Sequence, residues 1–134
     1  MLRERAVAYY LDHDYNCAES ILLAANDEYA LGLSPDAFHL LSPFGGGCGC
    51  GRICGALAGG LAVIGSLAVR ERAHATKDFG RLCEAYVQSF ESALGSDLCA
   101  VLKPRYVAPP RRCAATVEQA ADILDAFLRE KNLL

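Results

Sequence analysis

From Ile53 to Val69 the chain carries no charged side chain, and Arg52 and Arg70 bound the run. So long an apolar stretch has to be hidden from water, which sharply limits the available folds. A membrane span needs about 20 apolar residues. This run is shorter, and it is rich in Ala and Gly, which are weakly hydrophobic. It therefore predicts a buried central helix. Gly55-x-x-x-Gly59 lies within it, a pattern that lets a neighbouring helix approach closely. Directly before it stands Phe44-Gly45-Gly46-Gly47-Cys48-Gly49-Cys50-Gly51. No ordinary helix survives so many glycines. That segment predicts a loop or turn with positive φ or close backbone approach.

The rest of the chain has helical rather than strand spacing, because Val, Ile and Thr nowhere alternate with polar residues for long. Residues 2–12 predict a short mixed helix. Asn16 can cap the next, through Leu23 to about Tyr29, with Gly32 as its stop. Ser34-Pro35-Asp36 is a start signal for a helix ending near Ser42-Pro43. The buried helix is expected from Arg52 to about Arg70. Thr76 can cap a long amphipathic helix carrying Phe79, Leu82, Cys83, Tyr86, Val87, Phe90 and Leu94, ended by Gly95. Ser96 or Asp97 can cap a short helix from Leu98 to Lys103. Thr116-x-x-Gln119 reads as a capping box opening the last helix, with Val117, Ala120, Leu124, Phe127 and Leu128 as its buried stripe. The expected fold is all-α: a single domain over 1–134, a bundle of about six or seven helices around the Gly/Ala-rich helix at 53–69.

A length of 134 residues suits one domain, and 53% hydrophobic residues can fill a core without staples. The net charge is −3. No basic face or stripe stands out, which argues against nucleic-acid binding. Residues 1–10 lack the apolar stretch and cleavage site of a signal peptide, so a cytoplasmic location is expected.

The cysteines then need an explanation other than rescue of a coreless fold. There are seven, and in a reducing cytosol many cysteines point to metal or catalysis more than to static disulfides. Cys17, Cys54, Cys99 and Cys113 each stand where a helix is expected to begin. Unpaired N–H groups and the helix dipole there should lower a thiol pKa. Cys48 and Cys50 share the glycine turn with Cys54, and Gly45, Gly46, Gly47, Gly49 and Gly51 offer backbone N–H groups to thiolates or cluster sulfides. Soft thiolates suit zinc, copper(I) and iron–sulfur clusters. The spacing is neither a zinc ribbon nor a ferredoxin pattern, and no thioredoxin-type or haem-attachment motif is present. Cys83, inside an apolar stripe, reads as packing. Gly46-x-x-x-x-Gly51-Arg52-Ile53 misses the P-loop at its Lys and its Ser/Thr, with no strand before it. His13, His39 and His74 share no ligand spacing; His13, just before Cys17, is the one nearest a candidate.

Asn16-Cys17-Ala18-Glu19-Ser20, Phe44-Gly45-Gly46-Gly47, Cys54-Gly55-Ala56-Leu57-Ala58-Gly59, Gly95-Ser96-Asp97-Leu98-Cys99 with Leu102, and Cys113 occur in order. Together they closely resemble the C_GCAxxG_C_C family of redox-active proteins. The resemblance runs from about Asn16 to the last helix. It implies that Cys17, Cys54, Cys99 and Cys113 are the signature set, and that Cys48, Cys50 and Cys83 are additions of this sequence. The family's similarity to the iron–sulfur-bearing part of split-Soret cytochromes implies a cluster as one expectation.

The expected function is redox activity, by electron transfer or thiol/disulfide exchange, through a converging cysteine cluster. In the first version those four residues ligate an iron–sulfur cluster, with Cys48 and Cys50 as secondary metal ligands. In the second they cycle between dithiol and disulfide. The alternatives are a non-catalytic zinc or copper(I) module, or a helical interaction protein that dimerises through the Gly55/Gly59 face. A redox partner protein is expected, and a homodimer is compatible with the glycine-rich helix. Whether the chain is an enzyme is left open.

Overall fold

The computed structural model describes residues 1–134, and the uncharged run forms its central helix, α4 (Gly55–Ala68). Around it lie α1 (Leu2–Asp12), α2 (Cys17–Tyr29), α3 (Pro35–His39), α5 (Phe79–Leu94), α6 (Cys99–Tyr106) and α7 (Ala114–Glu130). The fold is all-α, with seven helices and no sheet. No helix is long and apolar enough to cross a membrane.

Small residues set the tightest packing. α4 lies along α2, and a Cβ on Gly59 would come 2.7 Å from the Ala18 carbonyl oxygen and 3.0 Å from Ile21 Cβ. On another face of α4, Gly60 is covered by the Tyr86 ring, whose Cζ would lie 2.7 Å from an added Cβ. The predicted stripes of α5 and α7 close the core, with Tyr86, Phe90, Leu94, Val117, Leu124 and Leu128 all buried. Tyr86 meets Phe127 edge-on, ring centroids 5.1 Å apart. Each such large side chain contributes about 1.5–3 kcal/mol by leaving water. Gly55 and Gly59 are buried against α2. That face is spent inside the chain, which corrects the expectation that it could receive a second copy.

Several boundaries differ from the sequence reading, each for a local reason. Ala30, with φ 52°, ends α2 before Gly32 is reached. α3 stops at His39, and a 3₁₀ turn over Ser42–Phe44 follows. α4 begins at Gly55 rather than Arg52 because residues 52–54 pair in extended form with 97–99. Cys54 N–H donates to Asp97 O and Cys99 N–H to Arg52 O, both at 2.7 Å. Thr76 does not cap α5: its hydroxyl donates to Arg72 O at 2.9 Å, and Asp78, at φ 55°, is the cap position. α6 passes through Pro104 and closes with Val107 N–H on Lys103 O. α7 starts at Ala114, so Thr116 is an internal, buried residue rather than a cap.

Candidate functional site

At the start of α2, the Asn16 side chain accepts from Glu19 N–H at 2.9 Å, and Glu19 Oε1 accepts from Asn16 N–H at 3.0 Å. This is a complete capping box. It also fastens the next segment, since Ser42 Oγ donates to Glu19 Oε2 at 2.6 Å and Asn16 Nδ2 donates to Ser42 O at 3.0 Å. Cys17 is the first residue of the helix so fixed. Cys54 is the N-cap residue of α4, Cys99 opens α6, and Cys113 is the N-cap residue of α7. All four signature cysteines thus sit at helix starts.

They also meet. Cys17, Cys54, Cys99 and Cys113 line one cavity of about 180 Å³. Gly46 and Gly55 let it open between the elements, because Gly55 has no Cβ where the Cys17 Sγ sits. Leu102 and Thr116 form part of its wall, and both are buried. Its charged lining is wholly basic: Lys103 and Arg112, with no carboxylate. Arg112 stacks 4.6 Å from the Tyr10 ring centre and donates to Tyr10 O at 3.0 Å. The Tyr10 hydroxyl in turn accepts from Cys113 N–H at 3.2 Å. Sequence reasoning missed Tyr10, Lys103 and Arg112; only the Arg111-Arg112 pair after Pro109-Pro110 offered a local signal.

Electrostatics at the thiols run against the sequence expectation. Burial pushes Cys54 up from 9.0 to about 12, with Cys17 beside it adding to the rise and the N–H groups of Leu57 and Ala56 opposing it. Burial likewise raises Cys17, opposed by the backbone N–H groups of Gly46 and Ala18. At Cys99 burial again raises the thiol, and Lys103 pulls it back. Helix-start donors are present, but dehydration of the thiolate outweighs them.

The remaining candidates lie elsewhere. Cys48 and Cys50 are exposed and do not line the cavity. Of the turn glycines only Gly46 reaches it: Gly45 packs on the Asn16 side chain, Gly47 on Arg52 and Cys99, and Gly51 on Ala100. Gly49 has open space around it. Cys83 is half-buried on α5 and does not line the cavity. The three histidines are exposed, and none lines the cavity. All seven cysteines are free thiols, and no three His, Cys, Asp or Glu side chains are gathered tightly enough to hold one metal ion.

A small all-α protein with four helix-start cysteines around one basic-mouthed cavity is the class that fold and site define. The chain belongs to the C_GCAxxG_C_C family, described as "Putative redox-active protein (C_GCAxxG_C_C)", which matches residues 15–127. No curated protein and no solved structure was found to match the chain.

Proposed function

We propose that the protein is an electron-transfer protein whose redox centre is an iron–sulfur cluster held by Cys17, Cys54, Cys99 and Cys113. The observation that carries this reading is the convergence of those four thiols, drawn from four separate segments, on one cavity. The donor set fits the group. Buried thiols with raised pKa are poor nucleophiles at neutral pH, whereas coordination to a metal deprotonates a thiol outright. The N–H groups of Gly46, Ala18, Ala56 and Leu57 beside Cys17 and Cys54 favour the charged sulfur once it forms. Lys103 and Arg112 offset the negative charge that four thiolates bring. Zinc bonds of about 2.3 Å would draw four sulfurs to within about 4 Å of one another. Thiols spread around a cavity suit a larger group better than a single ion. When bound, such a cluster supplies one-electron transfer, with a potential tuned by hydrogen bonds to sulfur and by burial.

A second reading, a Cys17–Cys54 dithiol cycling to a disulfide, is favoured by one observation: Cys17 is the neighbour that adds most to the raised Cys54 pKa after burial. Anaerobic purification with a visible spectrum, iron and sulfide analysis and a thiol count separates the two. Broad visible absorbance with iron and sulfide, lost in Cys54→Ser, supports the cluster. Metal-free protein that loses two thiols reversibly on oxidation supports the dithiol instead. Colourless protein carrying one equivalent of zinc overturns both.

A further inference from the structure

The segment Gly46–Gly49 is wound the wrong way for L-residues. Gly46, Gly47, Cys48 and Gly49 have φ of 63°, 62°, 61° and 71° in succession, and Gly51 follows at 77°. Gly47 needs its glycine, since a Cβ there would lie 2.6 Å from Arg52 N and from Cys99 Cβ. Cys48 is the only side-chain-bearing residue in this left-handed stretch, a conformation disfavoured outside Gly. The turn leaves Cys48 and Cys50 both exposed, one residue apart, with nothing within 4 Å of the site of a Cβ on the intervening Gly49.

We infer that Cys48 and Cys50 form a second redox site, a solvent-facing dithiol that reduces disulfides. The turn geometry fits. The φ 71°, ψ 2° of Gly49 is a compact positive-φ turn, far from extended backbone, so the spacing is close to that of a helix. Helical dimensions put Cα atoms two residues apart at about 5.4 Å. Disulfides span roughly 4.4–6.8 Å between Cα atoms. The pair is also asymmetric. The Cys50 thiol is turned onto Gly47 O, 3.7 Å away, while the Cys48 thiol makes no hydrogen bond and is the freer of the two to attack an incoming disulfide. Cys48 sulfur, as thiolate, attacks the partner R–S–S–R′, forms a mixed disulfide and expels R′–S⁻. Cys50 then attacks the Cys48 sulfur and expels R–S⁻. The two protons of the dithiol pass to the released thiolates, and two electrons move to the partner, so the products are one Cys48–Cys50 disulfide, R–SH and R′–SH. Exposed disulfides tend to be the labile, exchanging ones. The four cavity cysteines take no part, so this site stands whether or not they hold a cluster.

The test incubates the anaerobic full-length protein with glutathione disulfide in one arm and a synthetic peptide with a disulfide loop in the other. Quenching by alkylation and digestion with trypsin and a glutamate-specific protease places Cys17 and the Cys48/Cys50 pair on separate peptides. The expected result is the loss of both alkylation sites from the Cys48/Cys50 peptide with an internal bond in their place. The faster arm identifies the kind of disulfide the site accepts. Cys50→Ser should accumulate the mixed disulfide at Cys48, and Cys48→Ser should react at least tenfold more slowly. Both positions are exposed, and circular dichroism of each variant checks that the fold is kept. Full alkylation of both cysteines after incubation in both arms, or a separate adduct on each with no internal bond, would overturn the proposal.

Discussion

At Cys54 two local effects oppose each other, and their sizes decide the outcome. A charge at a helix terminus is worth about 0.3–1 kcal/mol. One pKa unit is worth about 1.4 kcal/mol, so the helix start moves a thiol by less than one unit. Burial carries Cys54 from 9.0 to about 12. In the metal-free protein, the alkylation rate of Cys54 should keep rising with pH up to pH 10 without a plateau. The same cysteine in denaturant should be half-maximal near pH 9 and level off about a unit above it. A half-maximum near pH 9 in the folded protein would show the thiol to be hydrated after all. The sign for stability follows: the folded state holds the proton more tightly, so stability is full below about pH 9 and falls as pH rises toward 12. Position was legible here, because Asn16 before Cys17 and the glycine turn before Cys54 are local helix-start signals. Charge state was not, because burial is set by residues far away in sequence.

Among the elements, α4 separates glycines that packing requires from one that it does not. Gly59→Ala drives a Cβ to 2.7 Å from the Ala18 carbonyl of α2, where backbone must yield. A cost of about 2–3 kcal/mol is expected, typical of overpacking a filled interior. Gly65, in the same helix, has nothing within 4 Å of an added Cβ. Gly65→Ala should stabilise by about 0.5–1 kcal/mol, since alanine is the better helix former and restricts the unfolded chain. Urea unfolding of the two variants checks both signs; equal effects would contradict the close contact at Gly59. The uncharged run announced a buried helix and its glycines announced close neighbours, so this much was legible. The pairing of 52–54 with 97–99 was not. It joins segments with no shared pattern, and it sets where α4 starts and brings Cys54 and Cys99 to one site. Thr116 shows the converse: a capping-box pattern is a local signal, and the chain overrode it by starting α7 at Ala114.

For the whole molecule, the first and last helices are tied by charge as well as by packing. Arg3 bonds both Glu118 and Asp122 of α7, and Arg111 bonds Glu118. Arg111 above all, then Arg3, holds the Glu118 carboxyl below its usual range. The stability this brings is present above the unfolded value, 4.5, and is lost as pH falls through the lower folded one. Glu118→Gln should therefore flatten the acid side of the stability curve, and 0.5 M salt should weaken the effect.

The cavity couples the molecule more strongly, because its cysteines stand before or at the starts of α2, α4, α6 and α7. A ligand held by all four stabilises the folded chain and has no equivalent partner in the unfolded one. At a hundredfold excess over its dissociation constant it adds about 2.7 kcal/mol. For a domain of this size that is a rise of roughly 10 °C in melting temperature. Anaerobic reconstitution with ferrous iron and sulfide should produce such a rise in the native protein. Cys99→Ser should lose most of it, since a three-thiol set no longer bridges α6 to the other helices. The Cys48→Ser/Cys50→Ser double variant should keep it, because those thiols lie outside the cavity. If instead the double variant abolished the rise and Cys99→Ser preserved it, the glycine turn rather than the cavity would be the metal-binding element, and the four helix starts would have converged for packing alone.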